Sequence, residues 1–209
     1  MKKRVPIKTI LLDIGMVILK FDFTASLEKI APRCNHAADR ILPLIARSDL
    51  WTPYEIGRIT TAQFACGACR LIGYRGSEES FIEAWCDIFS PNQPMFERIE
   101  QWHAMGIPLY TLSNTCDSHV DFFLSRYDIF RCFTDFIFSC RVGVAKPQPG
   151  IYRWAIDKHH ADPATTLFLD DLPENVAGAQ ALGFHALQYQ DEKRLAIQLA
   201  EQGFEFTAP

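Results

Sequence analysis

The chain has 209 residues, 48% hydrophobic and 22% charged, enough to bury an ordinary core as one large domain or as one domain carrying an insertion. A formal net charge of −4 with no long block of like charge gives no basic field for nucleic acid or acidic lipid. Seven cysteines, an odd number, predict reduced thiols rather than a disulfide framework.

The opening MKKRVPIKTILLDIGMVILKF has the basic-then-apolar order of a secretion signal. Lys8 and Asp13 interrupt its apolar stretch, however, and no small-residue cleavage site follows. No uninterrupted apolar run reaches bilayer-spanning length, so no membrane partner is expected and the protein reads as cytoplasmic. Residues 7–15 (IKTILLDIG) are predicted as a buried strand with one acid in it.

From roughly Phe21 to Pro91 no convincing buried strand follows. TTAQFACGACRLIG and SEESFIEAWCDIF read as helices, with Thr60 and Gln63 spaced as a capping box and Ser77 before the second helix start. Cys66 and Cys69 form a CxxC, but no second Cys or His pair stands at zinc-site spacing, so small buried core residues are expected. His36, Arg47, Trp51, Tyr54 and Arg58 are the residues of this interval suited to meeting a ligand, though most fit surface or packing positions equally well.

Buried strands resume at 107–113 (IPLYTLS), 134–139 (TDFIFS), 166–170 (TLFLD) and 184–189 (FHALQY). Helices lie between them, one opened by Pro149 and another running from Pro173 to before Gly183. Glu205 to Pro209 read as a short tail. Near-continuous apolar strands alternating with helices predict an α/β doubly wound parallel sheet, a Rossmann-like core of residues 1–20 and 92–209. An all-helical cap is inserted at 21–91, over the carboxyl ends of the strands, where ligands bind in open α/β sheets.

Four polar signals fall at strand ends: Asp13, Ser113 in LYTLSNT, Lys146 in GVAKPQPG, and Asp170 with Asp171 in LFLDDLPEN. Singly, most have ordinary explanations. Ser113 or Asn114 can cap a helix, Lys146 can be a solvated loop residue, and the acidic pair can precede a helix start. Asp13 is harder to dismiss, because a carboxylate inside an apolar strand needs a partner. Together, two or three carboxylates with no clustered His or Cys suit a hard cation such as Mg²⁺, and a lysine and a hydroxyl suit phosphate oxygens. A carboxylate facing a metal-held phosphorus can then act as nucleophile.

In order, and across nearly the whole chain, these four motifs resemble those of the haloacid dehalogenase-like superfamily. YEIGRITTAQF, LSNT, AKPQPGIY and LDDLPENVAGAQALG are similar to the branch that contains sugar-phosphate phosphatases and the N-terminal phosphatase domain of soluble epoxide hydrolases. The resemblance implies that Asp13 is the nucleophile and a Mg²⁺ ligand, with the Gly15 carbonyl, Asp171 and Asp170 completing the metal set. It implies that Ser113 and Asn114 bind the phosphoryl group and that Lys146 neutralises charge on it and on Asp13.

Gly15 departs from most of the superfamily's phosphatases, which carry there an Asp that moves the proton of the leaving group and of water. That assistance is typically worth on the order of 10²- to 10⁴-fold in rate. The resemblance therefore predicts a Mg²⁺-dependent phosphatase of small phosphorylated metabolites, sugar phosphates first, in which water or another acid substitutes; Asp22 is one candidate, although a solvated or capping role suits it better. A phosphate- and Mg²⁺-binding protein without turnover is the alternative, and a 2-haloacid dehalogenase a weaker one, since true dehalogenases carry Tyr at this position. Met16 and Val17 stand where many relatives of the branch have Asn and Thr.

Overall fold

The computed structural model describes residues 4–208, so the first three residues and Pro209, which belong to the predicted opening segment and tail, lie outside the described residues. The strands in chain order are β1 (Val5–Ile7), β2 (Thr9–Leu12), β3 (Leu19–Phe21), β4 (Phe89–Pro91), β5 (Leu109–Ser113), β6 (Asp135–Phe138), β7 (Thr166–Asp170), β8 (His185–Gln188) and β9 (Phe204–Phe206). Five of them form the central sheet in the order β6-β5-β2-β7-β8, every neighbouring pair parallel.

Helices cover both faces of this sheet, which explains its unbroken apolar strands. In β2, Ile10 and Leu12 enter one core layer while Leu11 enters the other; in β7, Leu167 and Leu169 part from Phe168 in the same way. All six side chains are fully buried. The order places β2 at the centre with β5 and β7 on either side, so the residues following these three strands emerge side by side at one edge.

Between β3 and β4 lie five α-helices: Thr24–Ile30, Ala38–Ala46, Trp51–Glu55, Thr61–Ile72 and Glu78–Cys86. They bury a core of their own around Ile41, Tyr54, Phe64, Phe81 and Trp85. The capping box is formed: the Thr60 side chain accepts from Gln63 N while the Gln63 side chain accepts from Thr60 N. Ser77 caps the last of the five by accepting from Ser80 N.

Three details differ from the sequence reading. The supposed tail begins inside β9, whose Phe204–Phe206 pairs in parallel with β1, three residues being too few to announce a strand. The helical interval is bracketed by the short antiparallel pair β3 and β4, in which Lys20, Phe21, Ser90 and Pro91 are exposed, so hydrophobic patterning does not reveal it. Cys66 and Cys69 are half-buried rather than buried: on helix Thr61–Ile72 the inward face is Phe64, Ala65, Ala68 and Ile72, and helical spacing turns both thiols to its flanks. Among the described residues, no helix is long and apolar enough to cross a membrane.

Candidate active site

Asp13 follows β2 and is 6% exposed, which requires compensation for its charge. Lys146 supplies it. Its Nζ donates to Asp13 Oδ1 at 2.7 Å, to Asp170 Oδ2 at 2.6 Å and to the Leu112 carbonyl at 2.8 Å, so three N–H bonds meet three oxygens. Lys146 does not stand at a strand end as expected; it comes from the turn after the short helix Ser139–Val142, before a cis Lys146–Pro147 bond. Burial disfavours its charge, but the two carboxylates and their hydrogen bonds outweigh that and hold its pKa above the ordinary lysine value.

The remaining predicted residues gather around this ion triad. Ser113 ends β5, is 2% exposed, and its hydroxyl favours the charged form of Asp13. Asn114 lines the same cleft, but its amide is engaged elsewhere: Oδ1 accepts from Lys146 N at 2.7 Å and Nδ2 donates to Lys146 O at 2.9 Å. It therefore clamps the lysine backbone, where the sequence reading had it holding phosphate. Asp170 is fully buried, and its second oxygen accepts from Leu172 N and from Asn175 Nδ2, both at 2.9 Å. Asp171, the next residue, turns into the cleft.

Ligand atoms of Asp13, Asp170 and Asp171 lie within 4.8 Å of one another. Lys146 pairs with Asp13 and Asp170 but not with Asp171, so with all three carboxylates ionised the cluster keeps two negative charges for a divalent cation, and an all-oxygen set suits Mg²⁺. Burial first, then the charges of Asp13 and Asp170, push the Asp171 carboxyl up to about 6.

Gly15 borders the cleft beside these groups. A Cβ there would come within 3.1 Å of the Phe21 ring and 3.8 Å of Asp13 Oδ2, so part of the space for a larger residue is taken by Phe21. Met16 has φ +58°, in the left-handed region that Asn tolerates and Met disfavours. Asp22 is exposed and accepts from Thr24 N at 2.8 Å and Thr24 Oγ1 at 2.6 Å, a turn at a helix start outside the cleft.

The cleft has a volume of about 290 Å³ and runs between the sheet edge and the helical layer. Its outer wall is Phe21, Phe23, Trp51, Ile88 and Phe89, with His119 of helix Asp117–Arg126 and Glu55 of helix Trp51–Glu55. His119 is almost fully buried, with Nε2 unpartnered among the described residues; burial pulls its pKa down to about 4. Burial raises the Glu55 carboxyl, with Lys146 opposing and Asp13 adding to the rise. Of the ligand-suited residues of the helical interval, Trp51 reaches the cleft, Tyr54 is buried against Phe64 at 4.2 Å between ring centres, and His36, Arg47 and Arg58 are exposed. Sequence reasoning missed Glu55, His119 and Asn175. Asn175 had a usable signal, five residues after a buried acid at a helix start; the other two look like ordinary helical residues.

Residues 7–183 match the family model for haloacid dehalogenase-like hydrolases. The chain is 26% identical to a D-ribitol-5-phosphate phosphatase of Bacteroides thetaiotaomicron over 87% of its own length and 91% of the relative's. It is also 26% identical to the sesquiterpene phosphatase astK of Aspergillus oryzae, over 77% and 82% of the two lengths. A HAD family enzyme of Bacteroides thetaiotaomicron, solved with magnesium and inorganic phosphate, shares the fold at TM-score 0.77 and 24% identity, covering 88% of this chain and 94% of that one. Two longer curated relatives are matched over only 38% and 13% of their lengths.

Proposed function

The chain belongs to the haloacid dehalogenase-like hydrolases, and from that premise we propose that it is a Mg²⁺-dependent phosphatase cleaving small organic phosphate monoesters through an aspartyl-phosphate on Asp13. The observation that carries this reading is the buried Asp13–Lys146–Asp170 triad opening on a cleft that also holds Asp171. Mg²⁺ would be held by Asp13, Asp171 and the Gly15 carbonyl, with Asp170 behind them, and when bound would offset charge on the phosphoryl oxygens.

The protein groups do the rest. Lys146, fixed by three acceptors, aims one Asp13 oxygen and leaves the other for attack on phosphorus. Ser113 presents a hydroxyl and Lys146 its positive charge beside the incoming phosphoryl group, and Asn114 keeps Lys146 in position. Phosphoryl transfer asks chiefly for such placement and charge compensation. The helical unit acts as the cap that excludes water, and the unpaired thiols of all seven cysteines suit a reducing cytoplasm.

The kinship with a D-ribitol-5-phosphate phosphatase supports sugar and polyol phosphates as substrates. The aromatic outer wall favours a second reading, in which the organic group is apolar, in keeping with the sesquiterpene phosphatase relative. Phosphate release from sugar phosphates, nucleotides, prenyl phosphates and p-nitrophenyl phosphate separates the two. Release is expected to need both Mg²⁺ and Asp13, falling to background with chelator or with Asp13→Asn. A folded wild-type protein inert even toward the aryl ester overturns the proposal and leaves a binding role.

A further inference from the structure

We infer that Glu55, carried by the helical unit, is the group that exchanges protons with the leaving oxygen and with the hydrolytic water, a role resting on the phosphatase reading above. Monoester cleavage has to deliver a proton to the departing alkoxide, and the cleft holds few groups able to do so. All three N–H bonds of Lys146 are engaged by oxygens. Asp171 belongs to the acidic cluster that faces the cation, and Asp170 is sealed behind it by Leu172 and Asn175. Gly15 has no side chain, and Asp22 is tied up with Thr24 outside the cleft. Glu55 is the carboxylate that remains: half-buried, lining the same cleft as Asp13, and with no hydrogen-bond or ion-pair partner for its side chain among the described residues.

Its backbone is held with unusual care for so short a helix. The Ser139 hydroxyl donates to the Glu55 carbonyl at 2.7 Å and accepts from Thr115 N at 2.9 Å, linking this residue to the loop that follows β5. One residue earlier, the Tyr54 hydroxyl donates to Ser118 Oγ at 2.7 Å. Two residues later, Gly57 has φ +69° and lies so close to the core that a Cβ would fall 1.9 Å from the Cys140 carbonyl oxygen. Three separate contacts with the core thus fix the segment that delivers a free carboxyl to the reaction chamber. The charged and titratable groups near enough to act on Glu55 are Lys146, Asp13 and Cys116.

The steps balance. Asp13 Oδ forms a bond to phosphorus as the ester P–O bond breaks; the leaving oxygen keeps the electron pair and takes the Glu55 proton. Water then attacks the aspartyl-phosphate, giving one proton to the Glu55 carboxylate, and the P–O bond to Asp13 breaks to release phosphate. Glu55 ends protonated as it began, and the net change is hydrolysis.

The test uses the Mg²⁺-loaded protein with an alkyl phosphate and with p-nitrophenyl phosphate, whose leaving group needs no proton. Glu55→Gln is expected to lower kcat/KM on the alkyl ester by roughly 10²-fold or more and on the aryl ester by much less. With the aryl ester it should also show a burst of nitrophenol matching the enzyme concentration, because hydrolysis of the aspartyl-phosphate has lost its base. Glu55→Asp should recover part of the alkyl activity, and an unchanged Mg²⁺-induced rise in Tm excludes misfolding. Equal losses on both esters without a burst, or no loss, overturn the role of Glu55 while leaving the phosphatase standing. Absence of wild-type activity overturns both.

Discussion

A fully desolvated lysine is tolerated only where its donors are all met, and Lys146 satisfies that condition with two carboxylates and one carbonyl. His119 is the opposite solution, a side chain kept neutral by burial. Its folded pKa of about 4 lies below the ordinary 6.5, so the unfolded chain binds more protons between those values and stability falls as pH drops through that window. Between pH 7 and pH 5 this residue should cost about 2 kcal/mol of stability. Urea unfolding at the two pH values checks it: His119→Phe should lose that much less than the wild type, and equal losses would sink the idea. Asp13 was legible in the sequence because an acid inside LLDIG contradicts its surroundings. Glu55 and His119 were not, since each sits in a helix whose pattern is satisfied without a function, and only the closure of the fold brings them to the cleft.

At the scale of elements, the strands of the central sheet were readable because burial on both faces writes itself as a continuous apolar run. The small pairs β1 with β9 and β3 with β4 were not, their three-residue strands carrying no pattern long enough to distinguish from coil. The turn after helix Trp51–Glu55 depends on Gly57 for both its positive φ and its closeness to Cys140. Gly57→Ala should therefore lift this segment from the core, lowering stability by about 1–3 kcal/mol and reducing turnover of alkyl phosphates more than that of aryl phosphates. Chemical denaturation and the two assays check it. Wild-type stability in the variant would mean that the segment relaxes freely and that the contact is incidental.

For the molecule as a whole, the doubly wound sheet and the helical layer above its carboxyl edge followed from the alternation of patterns, and Asp13, Ser113 and the Asp170–Asp171 pair fell together because parallel strands end side by side, with Lys146 joining them from a turn. The lining of the cleft could not be read, being assembled from segments far apart in sequence. If Asp13, Asp170 and Asp171 hold a cation, Mg²⁺ should raise Tm without any substrate present. Binding at about 100 times Kd contributes about 2.7 kcal/mol, or roughly 5–10 °C for a domain of this size. Calorimetry with and without Mg²⁺ measures this, and Asp171→Asn should abolish most of the rise; a rise unaffected by that change would move the ion elsewhere. The pairing of β1 with β9 bears on how such a unit travels between proteins. Val5 N donates to the Gly203 carbonyl and Thr207 N to that of Ile7, at the amino edge of the sheet and away from the cleft. Residues nearly two hundred positions apart in the chain thus lie side by side there, so a new connection made or cut at that edge should leave the acidic cluster undisturbed.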